Sequence, residues 1–273
     1  MSDLATLRAR HPRVFSRTPA ERRTLGLVWG LGIGLVLVAL WRIDADPVRI
    51  WQGLSKLGFM LALMVPPSTG GALPDLLAAL AETLAMAFLG TLLAAIAAVP
   101  LGFLGARNVI PPGLLHFGLR RLFDGLRGVD TLVWALIFVA AVGLGPFAGI
   151  LAIAITDTGT LAKLFAEAIE NAERRTVEGV RATGAARTLE ARFGVLPQVL
   201  PVMLSHVLYF FESNTRSASI LGVVGAGGIG LALSDRLRIN NFDEAAFIIL
   251  LILVTVAVID LAGGAIRRRM TQA

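Results

Sequence analysis

The sequence predicts an all-α membrane protein with about six transmembrane helices, and three observations lead there. Of its 273 residues, 56% are hydrophobic and only 16% charged, against about 25% charged in soluble domains; the mean hydropathy is +0.75. Uncharged runs long enough to cross a bilayer recur along the chain. The arginines stand in the gaps between those runs, where headgroups and cytosol would receive them. The net charge of +6 is therefore placed for a membrane and gives no sign of nucleic acid. Cysteine is absent, and His11, His116 and His206 are too scattered to suggest a metal site.

Residues 1–23 form a basic tail carrying Arg8, Arg10, Arg13, Arg17, Arg22 and Arg23. An uncharged run follows from Thr24 to Trp41, which as a helix spans roughly 27 Å. It exceeds the roughly 7–15 residues of a signal-peptide core, so residues 24–41 are expected to remain as a peripheral transmembrane helix. Residues 42–73 read as an external connection, in which Pro47 to Met60, with Trp51, Lys56 and Phe59, has the character of an interfacial helix.

From Pro74 to Leu104 runs a long apolar helix containing the acid Glu82. Arg107, Arg120, Arg121 and Arg127 make the next connection basic. Two spans follow at about 129–144 and 146–166, hinged by Gly143, Gly145 and Pro146. Residues 167–193 are charged, helix-favouring and without an apolar run, as expected of a cytosolic excursion. Apolar character returns at Val195–Phe211 and Ala245–Ile266, and Arg267, Arg268 and Arg269 begin a basic tail over 267–273. The arginine-rich gaps place both termini in the cytosol, which requires an even number of spans. Six spans fit if the glycine-rich stretch 217–234 re-enters and returns on the outer side.

Ionisable residues inside these spans are functional candidates. Asp157 lies among Thr156, Thr158 and Thr160, whose hydroxyls are expected to satisfy it unless an arginine pairs with it. Glu82 is expected to pair across the bundle, and Asp260 to bond at a helix contact. Gly225, Gly227 and Gly228 belong to a stretch that satisfies G-x-G-x-x-G. No strand–helix–strand unit surrounds it, so close packing or a gate replaces the dinucleotide reading.

The excursion and its exit read EAIENAERRTVEGVRATGAARTLEARFGVLPQVLP over 167–201. Glu178, followed by two small or short residues, precedes Gly184. Nine residues then lead to Gly194, and Leu196-Pro197 closes the pattern. This spacing resembles the coupling loop of ABC importer permeases, departing from it at Gly179, Val180 and Gly194. The stretches TLAMAFLGTLLAAIAAVPLGFLGARN (83–108), TLVWALIFVAAVGLGPFAG (131–149), KLFAEAIE (163–170), GVLPQVLP (194–201) and RSASILGVVGAGGIG (216–230) together resemble the phosphonate-type permease, whose relatives move phosphonates, phosphite or phosphate.

The resemblance implies a type I permease core over 74–266 with a coupling loop over 167–197. Its elements for the ATPase are Glu178 and Arg181 as polar contacts, Gly184 as the turn, and Leu196 and Pro197 as the step into the next span. It also implies a bacterial inner-membrane location, a second permease chain (a homodimer), two ATPase subunits and a periplasmic or lipid-anchored binding protein. ATP and magnesium would sit on the ATPase, with no cofactor in this chain. The only lysines, Lys56 and Lys163, follow Ser55 and Ala162, so no Gly-Lys-[Ser/Thr] phosphate loop exists here. For a phosphorus oxyanion, Arg216 with Glu212, Asn214, Asp157, Gly225, Gly227 and Gly228 are the candidate path or gate residues, since guanidinium geometry suits tetrahedral oxyanions. Glu212 lies four residues before Arg216, so the two form either a local pair or a gate opened by an arriving anion. Import of methionine or a quaternary amine is the alternative within the fold, although an ammonium cage wants more aromatics than one tyrosine and four tryptophans. A membrane enzyme acting on lipid phosphates would need a nucleophile and base that the sequence does not display.

Overall fold

The computed structural model describes residues 19–44, 46–109 and 113–272; most of the basic tail over 1–23 lies outside them. The described residues are helical and contain no strand. The chain divides into two compact units at Ala62 and Leu63.

The first unit holds α1 (Pro19–Arg42) and most of α2 (Pro47–Leu63). The uncharged run gives α1 its length, and it presents apolar side chains all round its circumference, as a solitary membrane helix must. Asp46 caps α2 by accepting a 2.9 Å hydrogen bond from the Val48 amide. No residue of α2 is buried.

The second unit is a bundle built on α3 (Leu73–Gly105), α4 (Leu114–Gly128), α5 (Thr131–Val142), α6 (Pro146–Glu170), α7 (Arg174–Ala182), α8 (Leu196–Leu221), α9 (Gly228–Arg238) and α10 (Phe242–Gln272). In α3 the buried positions Leu76, Thr83, Met86, Ala87, Gly90, Thr91, Ala94, Ala98, Gly102 and Gly105 recur every three or four residues. They form one seam, and α6 lies along it. Ala148, Ala152, Ile153, Leu161, Ala162, Phe165 and Ala166 of α6 are almost fully buried. Around α6 the α3 seam joins Phe123 of α4 and Val199 and Met203 of α8 at one end. At the other end it joins Ala135 of α5, Ala218 and Leu221 of α8, and Ala226.

Two expected spans take a different form. Residues 129–144 yield only the twelve-residue α5, about 18 Å long. Asp130 starts it by accepting a 2.8 Å bond from the Leu132 amide, and Gly143 at φ +94° ends it. It meets α4 at an 84° bend, so among the described residues five helices are long and apolar enough to cross a membrane alone, and a sixth crossing exists if the bent pair counts as one. The span expected to end at Phe211 instead continues to Leu221 as a 26-residue helix. The glycine-rich reversal accordingly begins at Gly222 and not at residue 217.

That reversal is built by close approach. A Cβ on Gly230 would lie 1.8 Å from the Ser219 carbonyl oxygen, and one on Gly222 would lie 2.4 Å from that of Gly227. Both neighbours are backbone, which has little room to yield. Gly230→Val is therefore expected to destabilise the detergent-solubilised protein by about 1–3 kcal/mol or more, read as a fall of several degrees in the thermal midpoint. Gly179→Ala, a site with open space around it, is expected to leave that midpoint unlowered.

Candidate functional site

Between α6 and α8 the charged excursion folds into a short, braced lever. α7 starts at Glu173, whose backbone N–H donates to Gln198 Oε1 of α8 at 2.9 Å. It ends at Gly184, whose φ of +79° lets its N–H donate to the Arg181 carbonyl at 3.0 Å while the chain turns back. The return passes through a short helical turn (Arg187–Leu189) and a π-helical turn (Glu190–Val195), then enters α8 at Leu196-Pro197. Pro197, which has no N–H to donate, stands two residues past the end of the π-helical turn.

Two contacts hold α7 to the π-helical turn that leads into α8. Arg181 grips buried Glu190 through both carboxylate oxygens, Nε at 3.0 Å and Nη2 at 2.9 Å. The Glu190 carboxylate holds the guanidinium above its ordinary range, first through this hydrogen bond and then by charge, with Glu178 adding to the effect. Gly194 lets α7 lie flat on the π-turn, because a Cβ there would stand 3.2 Å from Val177 Cα. Val177 and Val180 thus face inward, while Arg174, Arg175, Glu178 and Gly179 are exposed. Arg181, expected to contact an ATPase, spends its fork inside the lever; Glu178 keeps its carboxylate free at the surface.

The α7 end of α6 is tied to the basic connection. Glu170 accepts from Arg120 at 2.7 Å and from the Arg107 amide at 2.9 Å, and Lys163 pairs with Asp124 at 2.9 Å. A cleft of about 470 Å³ opens here, lined by Asn108, Glu170, Arg174, Glu178, Arg181 and Glu190 among others.

Deeper in the bundle, three helices meet through polar side chains. Asn214 of α8 donates to Thr91 Oγ1 of α3 at 2.8 Å and, by a short bond, to Asp157 Oδ2 of α6. The threonines beside Asp157 do not serve it, because each hydroxyl bonds back to its own helix: Thr156 to Ala152, Thr158 to Ala154 and Thr160 to Thr156. Glu212 does not pair with Arg216. It is buried and accepts from Arg267 of α10 at 2.6 Å, in space left by Gly263, where a Cβ would sit 1.9 Å from Glu212 Oε1. Gly225, Gly227 and Gly228 have φ of +100°, +80° and +70°. They fold the reversal against α3, where the Ile229 amide donates to Thr83 Oγ1 at 2.8 Å. Glu82 has no ion pair among the described residues and lies beside Gly227; Asp260 is exposed and makes no helix contact bond. Arg216 is exposed, with no hydrogen bond or ion pair to any described residue.

Residues 98–272 match the family described as binding-protein-dependent transport system inner membrane component. The chain belongs to that family. The phosphite transport system permease protein PtxC of Stutzerimonas stutzeri is 36% identical over 92% of this chain and 95% of its own length. The phosphate-import permease protein PhnE of Mycolicibacterium smegmatis is 41% identical over 85% of this chain and 43% of its own. Among solved structures, an inward-facing conformation of the MetNI methionine ABC transporter superposes with a TM-score of 0.62, covering 71% of this chain and 95% of that one at 24% identity; that likeness concerns the fold.

The permease is thus a multi-pass membrane component of a transport system with the type I importer fold. The family match takes in the lever, Asp157 and Asn214 of the polar contact, and the reversal. Sequence reasoning missed Glu190, Gln198, Thr91 and Arg267. For Glu190 a signal existed: it follows Arg181 by nine residues across the Gly184 turn, so a hairpin register would have paired them. Arg181→Ala in the permease is expected to loosen the lever, read as several-fold faster amide exchange over 174–195 with unchanged exchange in α3. Arg181→Lys, which keeps charge without the fork, should fall between.

Proposed function

We propose that this permease is one half of the membrane path of an ATP-driven importer for phosphorus oxyanions, and that α7 is the part an ATPase grips. The observation that carries the reading is the braced lever. α7 protrudes from the bundle with Glu178 free, yet it is fastened to the π-helical turn that runs into α8 by the Arg181–Glu190 fork and the Val177–Gly194 contact, and to α8 itself by the Glu173–Gln198 bond. A load on α7 is thereby delivered to α8. Glu178 would meet the ATPase, Gly184 would set the turn, Leu196-Pro197 would pass the movement on, and Arg181 would keep the lever stiff.

One bundle supplies half a path, so a second permease chain, two ATPase subunits and a delivering binding protein complete the assembly. ATP and magnesium belong on the ATPase, because this chain has no Gly-Lys-[Ser/Thr] step. The arginine-rich gaps favour both termini, the 105–128 connection and α7 in the cytosol of a bacterial inner membrane. The phosphorus oxyanion rests on the relatives named for phosphite and phosphate. ATP binding would close the ATPases, draw the two α7 levers together and favour an outward-open packing, with hydrolysis resetting it.

The test uses the complex reconstituted in liposomes with its ATPase and binding protein. ATP hydrolysis is expected to rise when phosphite, phosphate or methylphosphonate is supplied. If the ATPase presents a cation to α7, Glu178→Lys creates a like-charge contact costing several kcal/mol, so stimulation should fall by about tenfold or more. Stimulation by methionine or glycine betaine alone would discard the substrate class. An ATPase that never co-purifies would overturn the reading itself.

A further inference from the structure

Between Ser205 and Ser217 one face of α8 is polar where a membrane helix facing lipid would be apolar, with exposed Val202 and Ile220 flanking that stretch on the same face. At about 100° per residue, Ser205, His206, Tyr209, Ser213, Arg216 and Ser217 fall within an arc of about 120°. Tyr209 and Arg216 are exposed and the other four are half-buried. Of the other polar groups of the helix, Glu212, Asn214 and Thr215 are turned inward and buried, and Gln198 and Ser219 are half-buried. On the neighbouring helices exposed apolar side chains dominate: Phe88, Leu92, Leu93 and Ile96 on α3, and Leu253, Val254, Val258 and Leu261 on α10, where exposed Asp260 is the exception.

A single arginine near a helix end is no anomaly. Arg216 stands five residues before the end of α8, about 7.5 Å, and its side chain alone reaches the headgroups. That explanation stops at Arg216. The stripe continues inward from Arg216 to Ser205, about 16 Å further along the helix, where snorkelling accounts for nothing and polar groups facing lipid are costly.

Charge sharpens the assignment. The guanidinium has five N–H donors, and none is used by a described residue. The nearest acid on its own helix, Glu212, is already held by Arg267. Asp157 is turned inward to Asn214. The open face therefore presents a cation that neither Glu212 nor Asp157 neutralises. Beside it, Ser217 spends its hydroxyl hydrogen on the Ser213 carbonyl at 3.3 Å, and Ser213 lies within reach of the same region.

The geometry points to this face of α8 as the lining of a water-filled path, with Arg216 as the residue that binds the phosphorus oxyanion in transit. The inference rests on the importer reading above. A second copy presenting the same face closes the path and brings a second guanidinium toward the first. Two like charges oppose closure around an empty path, and an oxyanion between them offsets that repulsion.

The chain has no cysteine, so each introduced one is unique. Tyr209→Cys and Ser213→Cys in the reconstituted complex are expected to react with a membrane-impermeant methanethiosulfonate. Leu204→Cys, exposed about 120° round the helix from Arg216, is expected to resist it. Arg216→Gln should raise the KM for phosphite uptake by about tenfold or more, and Arg216→Lys by less. Cysteines at 209 and 213 no more reactive than the one at 204 would overturn the path. An unchanged KM in Arg216→Gln would overturn Arg216 as the ligand while leaving the importer reading intact. Wild-type protein that carries no phosphorus oxyanion would remove the importer's substrate and Arg216's role together, whereas labelled cysteines would then still uphold the path.

Discussion

The contact between α3 and α6 is the constraint on which the rest of the bundle depends. In a bilayer, lipid tails are as apolar as leucine, so helices associate through close packing and interhelical hydrogen bonds. Here the closeness is steric and specific. A Cβ on Gly90 would lie 2.7 Å from Ile153 Cβ, one on Gly102 would lie 2.7 Å from Phe165 Cβ, and one on Gly149 would strike Met86 Sδ at 2.0 Å. Between these notches, Ala87, Ala94, Ala98, Ala152 and Ala162 are fully buried. Large side chains of one helix thus enter gaps in the other along most of its length, which fixes rotation and register. With α6 fixed, Asp157 can point only where Asn214 arrives, and Gly159 presents its bare backbone to Leu126 and Phe123 of α4.

The same fixed helix gives the lever its leverage. α6 leads into α7 within three residues, and α7 is fastened at once to the first turn of α8. A loop of 25 residues between two spans would absorb a displacement if it were slack. The fork of Arg181 on Glu190 is largely exposed on the arginine side and is discounted for screening. The steric contact of Val177 on Gly194 is not screened at all. The seat of α7 on the π-turn therefore depends more on the missing side chain at 194 than on the ion pair, and a residue of isoleucine's size there would demand a different seat for α7.

The sequence revealed whatever depends on local periodicity. The apolar runs located the long helices, and the interval from Glu178 through Gly184 to Leu196-Pro197 located a turn and a helix start that the structure contains. The 84° bend between α4 and α5 was not legible, because the arginines of 105–128 mark a connection and conceal the helix Leu114–Gly128 within it. Partners across the bundle were less legible still. Glu212 and Arg267 are 55 residues apart, and Asn214 and Thr91 are 123 apart. Choosing between Arg216 and Arg267 for Glu212 requires the rotation of α8 about its axis, which follows from the α3–α6 seam and from α10 and not from α8 alone. Asp157 teaches the same lesson in reverse. Its neighbouring hydroxyls were near in sequence, but on a helix they find the carbonyl four residues back before they find a side chain.

What the bundle hides is as informative as what it shows. Carboxylates along an anion's route would repel it, and in this permease the two buried acids of α6 and α8 are engaged. Glu212 is closed by α10 and Asp157 by Asn214. Each arrangement needs a partner or a missing side chain brought from elsewhere: Arg267 and Gly263, Asn214 and Thr91. Burying an acid is costly unless it is bonded, so these devices are hard to explain as packing alone, since an apolar residue would pack as well without them. Their joint effect is to remove negative charge from the open side of α8 while Arg216 remains there. The sign of the charge left on that face follows from the whole bundle and not from one arginine, and it is the sign an oxyanion requires.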